Sequence, residues 1–363
     1  MSMFIGENPA GRSIPKKESG AAKKGAGLGN KSKKQFKWPF ILKLAVSIMI
    51  FAGLMAAILG LYAVMPVSET GNAVIKYPEN WVFNWQVIGV IDRAIDWLIV
   101  NGDPIFSAIN VAILRGILIP LENYFLWLPW WSVILIIGLI SWFTAGKKFA
   151  IISLFLVGLI AAMGLLDLAC ETLAIMLTST IVCVILGLPL GIIAAMSNFF
   201  DAVQRPVLDT MQTMPTFVYL IPAVMLFGLG KVPAVMATVI YALPPIIRLT
   251  SLGIREVDAH LIEAARSFGS TRLQILTKVQ LPMALSSILA GLNQTIMMAL
   301  GMVVIASMIG AGGLGVEIHK AIIRLEVGRG TVAGIGIVFM AMVLDRVSQG
   351  IARRSRVRSS ISQ

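Results

Sequence analysis

The run Gly310-Ala-Gly-Gly-Leu-Gly315 satisfies Gly-x-Gly-x-x-Gly, the spacing that lets a backbone approach a dinucleotide pyrophosphate. That chemistry needs a strand before the glycines and a helix after them. A long apolar stretch precedes them here, so the run fails the test. No Gly-x-x-x-x-Gly-Lys-Ser/Thr phosphate loop occurs in the chain. Cys170 and Cys183 lie thirteen residues apart in one apolar run, about 20 Å along a helix and beyond disulfide reach; they read as core or lipid-facing. His260 and His319 are isolated, and no Cys/His cluster has metal-ligand spacing. Asp167 and Glu171, one helical turn apart at a predicted helix end, read as solvated acids. No catalytic residue, metal or resident cofactor is assigned. What remains is a polar, charged island, Glu263–Pro282, between long apolar segments, which reads as a docking surface.

The elements around the island follow from composition. The 363 residues are 57% hydrophobic and 13% charged, with a mean hydropathy of +0.86; soluble domains carry about 25% charge. Windows of roughly 20 apolar residues match about 30 Å of hydrocarbon, and they lack the alternation of a β-barrel. The expected fold is therefore all-α and polytopic. Eight spans are predicted near 40–65, 128–146, 148–166, 172–196, 214–230, 232–250, 286–309 and 331–351.

The net charge of +12 sits mostly in tails and loops, as the positive-inside rule requires. Residues 1–38 carry nine Lys/Arg and two Glu and read as a disordered basic tail, able to touch anionic lipid. They are too polar for a signal peptide. Residues 39–66 form a first transmembrane helix and 128–166 two more. Lys147, Lys148, Arg205, Arg248, Arg255, Arg266, Arg272, Lys278 and the basic tail 353–363 fall on the N-terminal side of the membrane. The opposite side holds residues 66–127, with six acids and three bases. Both termini are thus predicted cytoplasmic. The loop with Lys320, Arg324 and Arg329 is an exception, basic but placed outside. Within the external region 67–127, Trp85, Ile88, Ile91, Ile95 and Leu98 recur at helical spacing against Asp92, Arg93 and Asp96. They predict one or two amphipathic helices on the membrane surface, followed by an interfacial belt of Trp127, Trp130 and Trp131.

Inside the island the local signals are strong. Asp258 can cap a helix over Ala259–Phe268; Gly269 supplies the left-handed stop; Ser270 or Thr271 can cap a second helix running toward Pro282. A DNA-binding helix-turn-helix has this shape, but membrane spans flank it and the second helix has few base-reading side chains.

The pattern Glu263-Ala264-Ala265, Gly269, Leu281-Pro282 resembles the EAA loop of ABC importer permeases, with Val279 where Ile is usual. The resemblance extends through Asp209–Pro222, Met225–Gly228, Ala242–Leu249, Arg266–Gly269, Lys278–Pro282, Gly291–Thr295 and Met302–Ile309, which look like the glycine betaine/proline betaine permease family. It covers roughly residues 170–355.

The resemblance implies a type I ABC importer permease core over 167–352, with the EAA loop at 256–282, in the inner (cytoplasmic) membrane of a bacterium. It implies ATPase coupling through Glu263, Ala264, Ala265, Ser267, Phe268, Gly269, Leu281 and Pro282. The partners it implies are a separate ABC ATPase carrying ATP and Mg2+, an external substrate-binding protein and a second copy of this chain, with no nucleic acid. It also implies alternating access for a betaine-type osmoprotectant, and it makes Gly310–Gly315 a flexible break at the outer end of a span. Permeases for choline, carnitine, methionine or taurine, or a secondary transporter or channel, are the alternatives. Aromatic faces attract quaternary ammonium groups, and polar groups within spans face bundle interiors. Met214, Phe217, Tyr219, Asn293, Gln294 and Thr295 are accordingly the expected pathway residues; for the first three, helix packing around the kinks of Pro215 and Pro222 is the alternative, and for the last three, interhelical hydrogen bonding.

Overall fold

The computed structural model describes Met49, residues 51–57 and residues 87–361, the last stretch with side chains from Gly89 to Arg354. The basic tail 1–38 and most of the predicted span 39–66 lie outside them; residues 51–57 are helical. Residues from Trp85 onward form one compact unit. Its helices are α1 (Val87–Ile113), α2 (Ile119–Trp127), α3 (Trp130–Ala145), α4 (Lys147–Ala162), α5 (Leu166–Met196), α6 (Asn198–Thr213), α7 (Leu220–Phe227), α8 (Lys231–Arg255), α9 (Ala259–Ser267), α10 (Arg272–Ile275), α11 (Leu281–Ala306), α12 (Leu314–Arg324) and α13 (Val327–Ile361). No strand occurs among the described residues.

Among the described residues, five helical runs are long and apolar enough to cross a membrane, and six if α6 and the Thr216–Phe227 segment, bent by 108°, count as one. The hairpin α3–α4 adds two apolar helices of 16 residues each, turning at Gly146 with φ 95°. Every predicted span within the described residues coincides with one of these elements. Several run on past the predicted ends, because hydropathy marks where the chain is apolar and not where its helical hydrogen bonding stops. Thus α13 continues through the basic stretch to Ile361.

The region expected to lie on the membrane surface is a single run, Gly89–Trp127, which by length and composition qualifies as a span. It joins α1 to α2 through a π-turn, Leu114–Leu118, and α10 joins α11 through another, Leu276–Gln280. In both cases the next helix has proline at its second residue, Pro120 or Pro282. Proline has no N–H and its ring collides with the preceding turn, and a widened turn relieves that conflict within a continuous helix.

At the centre, α8 packs between α5 and α11. Small residues make the approach possible. A Cβ at Gly187 would lie 2.3 Å from Ile246 Cγ2, and one at Gly191 2.9 Å from the Ile247 carbonyl oxygen. On α11, Gly291, Thr295, Ala299 and Ala306 are buried in one stripe, and Gly291 sits against Pro245 and Ile246 of α8. Close approach through small residues is how helices associate where lipid supplies no hydrophobic drive.

Candidate functional site

The helix pair of the polar island is built by its caps. Asp258 accepts a hydrogen bond from the His260 N–H at 2.9 Å and opens α9. Gly269, at φ 77°, ends it, with Gly269 N–H donating to Arg266 O at 2.8 Å and Ser270 N–H to Ala265 O at 3.1 Å. Thr271, not Ser270, opens α10 in a full capping box with Gln274. The second helix is not free-standing: it runs through the π-turn into α11. Glu263, Ala264, Ser267, Gly269 and Pro282 are exposed, while Ala265 and Leu281 are half-buried. The pair carries an apolar ridge: Phe268 is 90% exposed, Leu273 68% and Leu261 40%. Sequence reading placed Phe268 in the surface and missed Leu261 and Leu273; three-residue spacing from Ala264 makes Leu261 visible, whereas Leu273 lies on the next helix, beyond the Gly269 stop.

A half-open cleft of about 360 Å3 lies between α11 and the segment entering α7, lined by Thr216, Tyr241, Gln294, Met297, Met298, Gly301, Met302 and Ile305. The α11 residues recur at three- and four-residue steps and form one helical face. Of the expected pathway residues, only Gln294 lies in this lining. Three consecutive residues point three ways, since each step along a helix turns about 100°. Asn293 turns to α13, donating to Asp345 Oδ1 at 3.3 Å and accepting from the Ser348 hydroxyl. Thr295 is buried with the small-residue stripe, its hydroxyl without a partner among the described residues. Phe217 is 55% exposed beside the cleft. Tyr219 is buried, donates to Met211 O at 2.6 Å and lies 6.3 Å from the Tyr241 ring. Met214 is half-buried against the core. Tyr241, Met297, Met298 and Gly301 were missed; the periodicity running from Gln294 carries the signal for the last three.

The glycine run is occupied from within. Gly310, Gly312 and Gly313 have φ between 76° and 90°. The Glu171 carboxylate accepts from Gly313 N–H at 2.8 Å, and the Thr172 hydroxyl accepts from Leu314 N–H at 2.8 Å. Side chains of α5 thus take the free amides at the start of α12, where an anion would otherwise bind. The solvated reading of Glu171 is corrected by this contact; Asp167 is exposed. Replacing Thr172 by valine leaves a buried N–H unpaired, at a cost of about 1–3 kcal/mol. We expect a lower thermal midpoint for Thr172→Val and recovery with Thr172→Ser; equal midpoints for valine and wild type would refute the clamp.

Nearby, the Glu317 carboxylate pairs with Lys320 at 3.1 Å and Arg329 at 2.6 Å, and Arg329 also reaches Glu326 at 3.4 Å. Burial pushes the Glu317 carboxyl up, but the two cations hold it below its ordinary value. The basic character of this loop, anomalous in sequence, is thereby partly neutralised.

A family model described as "Binding-protein-dependent transport system inner membrane component" matches residues 187–357. The glycine betaine/proline betaine transport system permease protein ProW of Escherichia coli is 47% identical over 270 residues, 74% of this chain and 76% of the relative. The glycine betaine/carnitine transport permease protein GbuB of Listeria monocytogenes is 51% identical over 232 residues, covering 63% and 82%. The glycine betaine transport system permease protein OpuAB of Bacillus subtilis is 43% identical over 274 residues, covering 75% and 96%.

Proposed function

Since the chain belongs to the inner-membrane permease components of binding-protein-dependent ABC transport systems, we propose that it imports small quaternary-ammonium osmolytes of the glycine betaine and proline betaine type. Relatives named for glycine betaine match about three-quarters of this chain and at least three-quarters of their own length, which supports that cargo. The observation carrying the coupling role is the capped helix pair with its exposed ridge of Phe268, Leu273 and Leu261, seated where α8 ends and α11 begins.

In this reading the ridge faces the cytoplasm and enters a groove of a separate ATPase, which holds ATP and Mg2+. Each chain has one such loop, so two copies make one permease. A loaded binding protein docks at the opposite end, where the Glu171–Gly313 clamp and the Glu317 cluster lie. The run Gly89–Trp127 crosses that end; Phe106 against Phe227 and the Glu122–Lys231 pair, both at the outer termini of α7 and α8, support this. ATP closure pulls the loops together, α8 and α11 tilt, and the cleft changes its access. Tyr241 in the lining, and Phe217 next to the lining residue Thr216, offer ring faces to the cargo's ammonium group, and Gln294 can hydrogen-bond its carboxylate. The chain performs no covalent step.

Purification with its ATPase, followed by radiolabelled glycine betaine uptake into liposomes carrying the binding protein, tests this. We expect uptake that depends on ATP and ceases when the ATPase is omitted. Uptake driven by an ion gradient without the ATPase would place the chain in another transporter class. Gln294→Ala and Phe217→Ala should each lower uptake per ATP hydrolysed by about 5-fold or more, the loss of one polar or cation–π contact of about 1 kcal/mol or more. Unchanged ratios for both would remove the cleft from the pathway.

A further inference from the structure

We infer that α6 is a lever carrying motion of the coupling loop to the cleft wall, with Asp201, Asp209, Arg248 and Arg255 as its positioning residues; this rests on the coupling role proposed above. Arg248 and Arg255 lie two turns apart on one face of α8, and Asp201 and Asp209 lie about two turns apart on one face of α6. Arg255 approaches Asp201 at 3.5 Å and Arg248 pairs with Asp209. The crossed order means that α6 runs antiparallel beside α8, with both pairs in register.

The first pair is the hub. Asp201 is 8% exposed and also accepts from Arg205 at 2.6 Å. Arg255 further donates to Asn198 Oδ1 at 2.9 Å and to Ala194 O at 2.6 Å. The ends of α5 and α8 and the start of α6 thus meet on one guanidinium, three residues before the Asp258 that caps the coupling helix. At its far end α6 passes through Pro215 into Thr216–Tyr219 with the 108° bend. The hydrogen bond from the Tyr219 hydroxyl to Met211 O ties that segment to the last turn of α6, and Thr216 and Gln294 both line the cleft.

Burial does not hold α6 in place. Of its apolar side chains only Leu208 is buried, between the two ion pairs, whereas Phe199, Val203 and Val207 are at least half exposed. A helix anchored at one apolar point and steered by charge at both ends can pivot. Displacement of Arg255 therefore moves Thr216 unless an ion pair breaks.

The experiment uses the full complex with its ATPase and binding protein in liposomes, and reads glycine betaine taken up per ATP hydrolysed. Asp209 is 64% exposed, so its pair adds little to folding. Asp209→Arg should lower the ratio by about 5-fold or more, the scale of a coupling interaction, while ATP hydrolysis continues. Asp209→Glu should keep the wild-type ratio, and Asp209→Arg with Arg248→Asp should restore most of it. A wild-type ratio in Asp209→Arg overturns the lever, as does a double reversal that assembles but transports no better than the single one. A loss of hydrolysis and uptake together in Asp209→Arg would mark a merely structural brace and also overturn it. If the wild-type complex itself shows no ATP-driven uptake, the coupling role falls and the lever with it.

Discussion

Valine at position 269 should nearly abolish ATP-driven uptake while the membrane bundle stays folded. Gly269 has φ 77°, and no heavy atom lies within 4 Å of where its Cβ would be. The substitution therefore introduces backbone strain with no collision. A side chain in the left-handed region costs about 1–2 kcal/mol, more for a β-branched residue. Exposed structure relieves such strain cheaply: the Gly269 and Ser270 amides can leave Arg266 and Ala265, which unwinds the end of α9 and re-aims Phe268. A bias of this size depopulates the docking geometry by about 10-fold or more. Uptake and ATP hydrolysis in the reconstituted complex, with thermal unfolding of the permease, check it. Glu263→Lys reverses the charge of an exposed side chain without strain and should uncouple in the same way. Normal uptake in both variants would remove the loop from coupling.

The second large effect is expected at Gly191. A Cβ there would lie 2.6 Å from Thr250 Cβ and 2.9 Å from the Ile247 carbonyl oxygen. A backbone oxygen cannot rotate away as a side chain can, so α5 and α8 must separate. Interiors are close-packed, and overpacking costs about 1–3 kcal/mol or more. Gly191→Ala should lower the thermal midpoint in detergent, and Gly191→Leu should prevent recovery of monodisperse protein. Gly158 on α4 is the control, because nothing lies within 4 Å of its Cβ; Gly158→Ala should be neutral or slightly stabilising, as helix propensity predicts. Equal midpoints for Gly191→Ala and Gly158→Ala would contradict the packing of α5 on α8.

Both positions lie in stretches that sequence identified, but for different reasons. Gly269 was legible as a helix stop, because caps and left-handed glycines act within four residues and leave their mark in the local pattern. Asp258, Gly269 and Thr271 all do what their spacing implies. Gly191 was not legible as a contact, since its meaning depends on α8, more than fifty residues further on. The same difference separates the two halves of the candidate site. The capped helix pair is local, and its caps could be read nearly residue by residue. The cleft is not. Asn293, Gln294 and Thr295 all read as polar groups in an apolar span, and only the neighbours of α11 distinguish them.

By itself, the sequence determined that this is a multi-pass helical membrane protein, where its apolar helices lie from Trp130 onward, and the shape of the capped helix pair. Those outcomes depend on hydropathy summed over a span and on hydrogen bonds closed within a few residues. Tertiary structure alone decided which polar residue faces the cleft, that the Asn293 side chain pairs with Asp345 and Ser348 of α13, and that α6 is paired to α8. It also decided that the glycine run is closed by Glu171 from 142 residues away. A polar group left unpaired in a low-dielectric interior is costly, so its partner is set by whatever the fold brings beside it, and that choice is not written in the neighbouring residues.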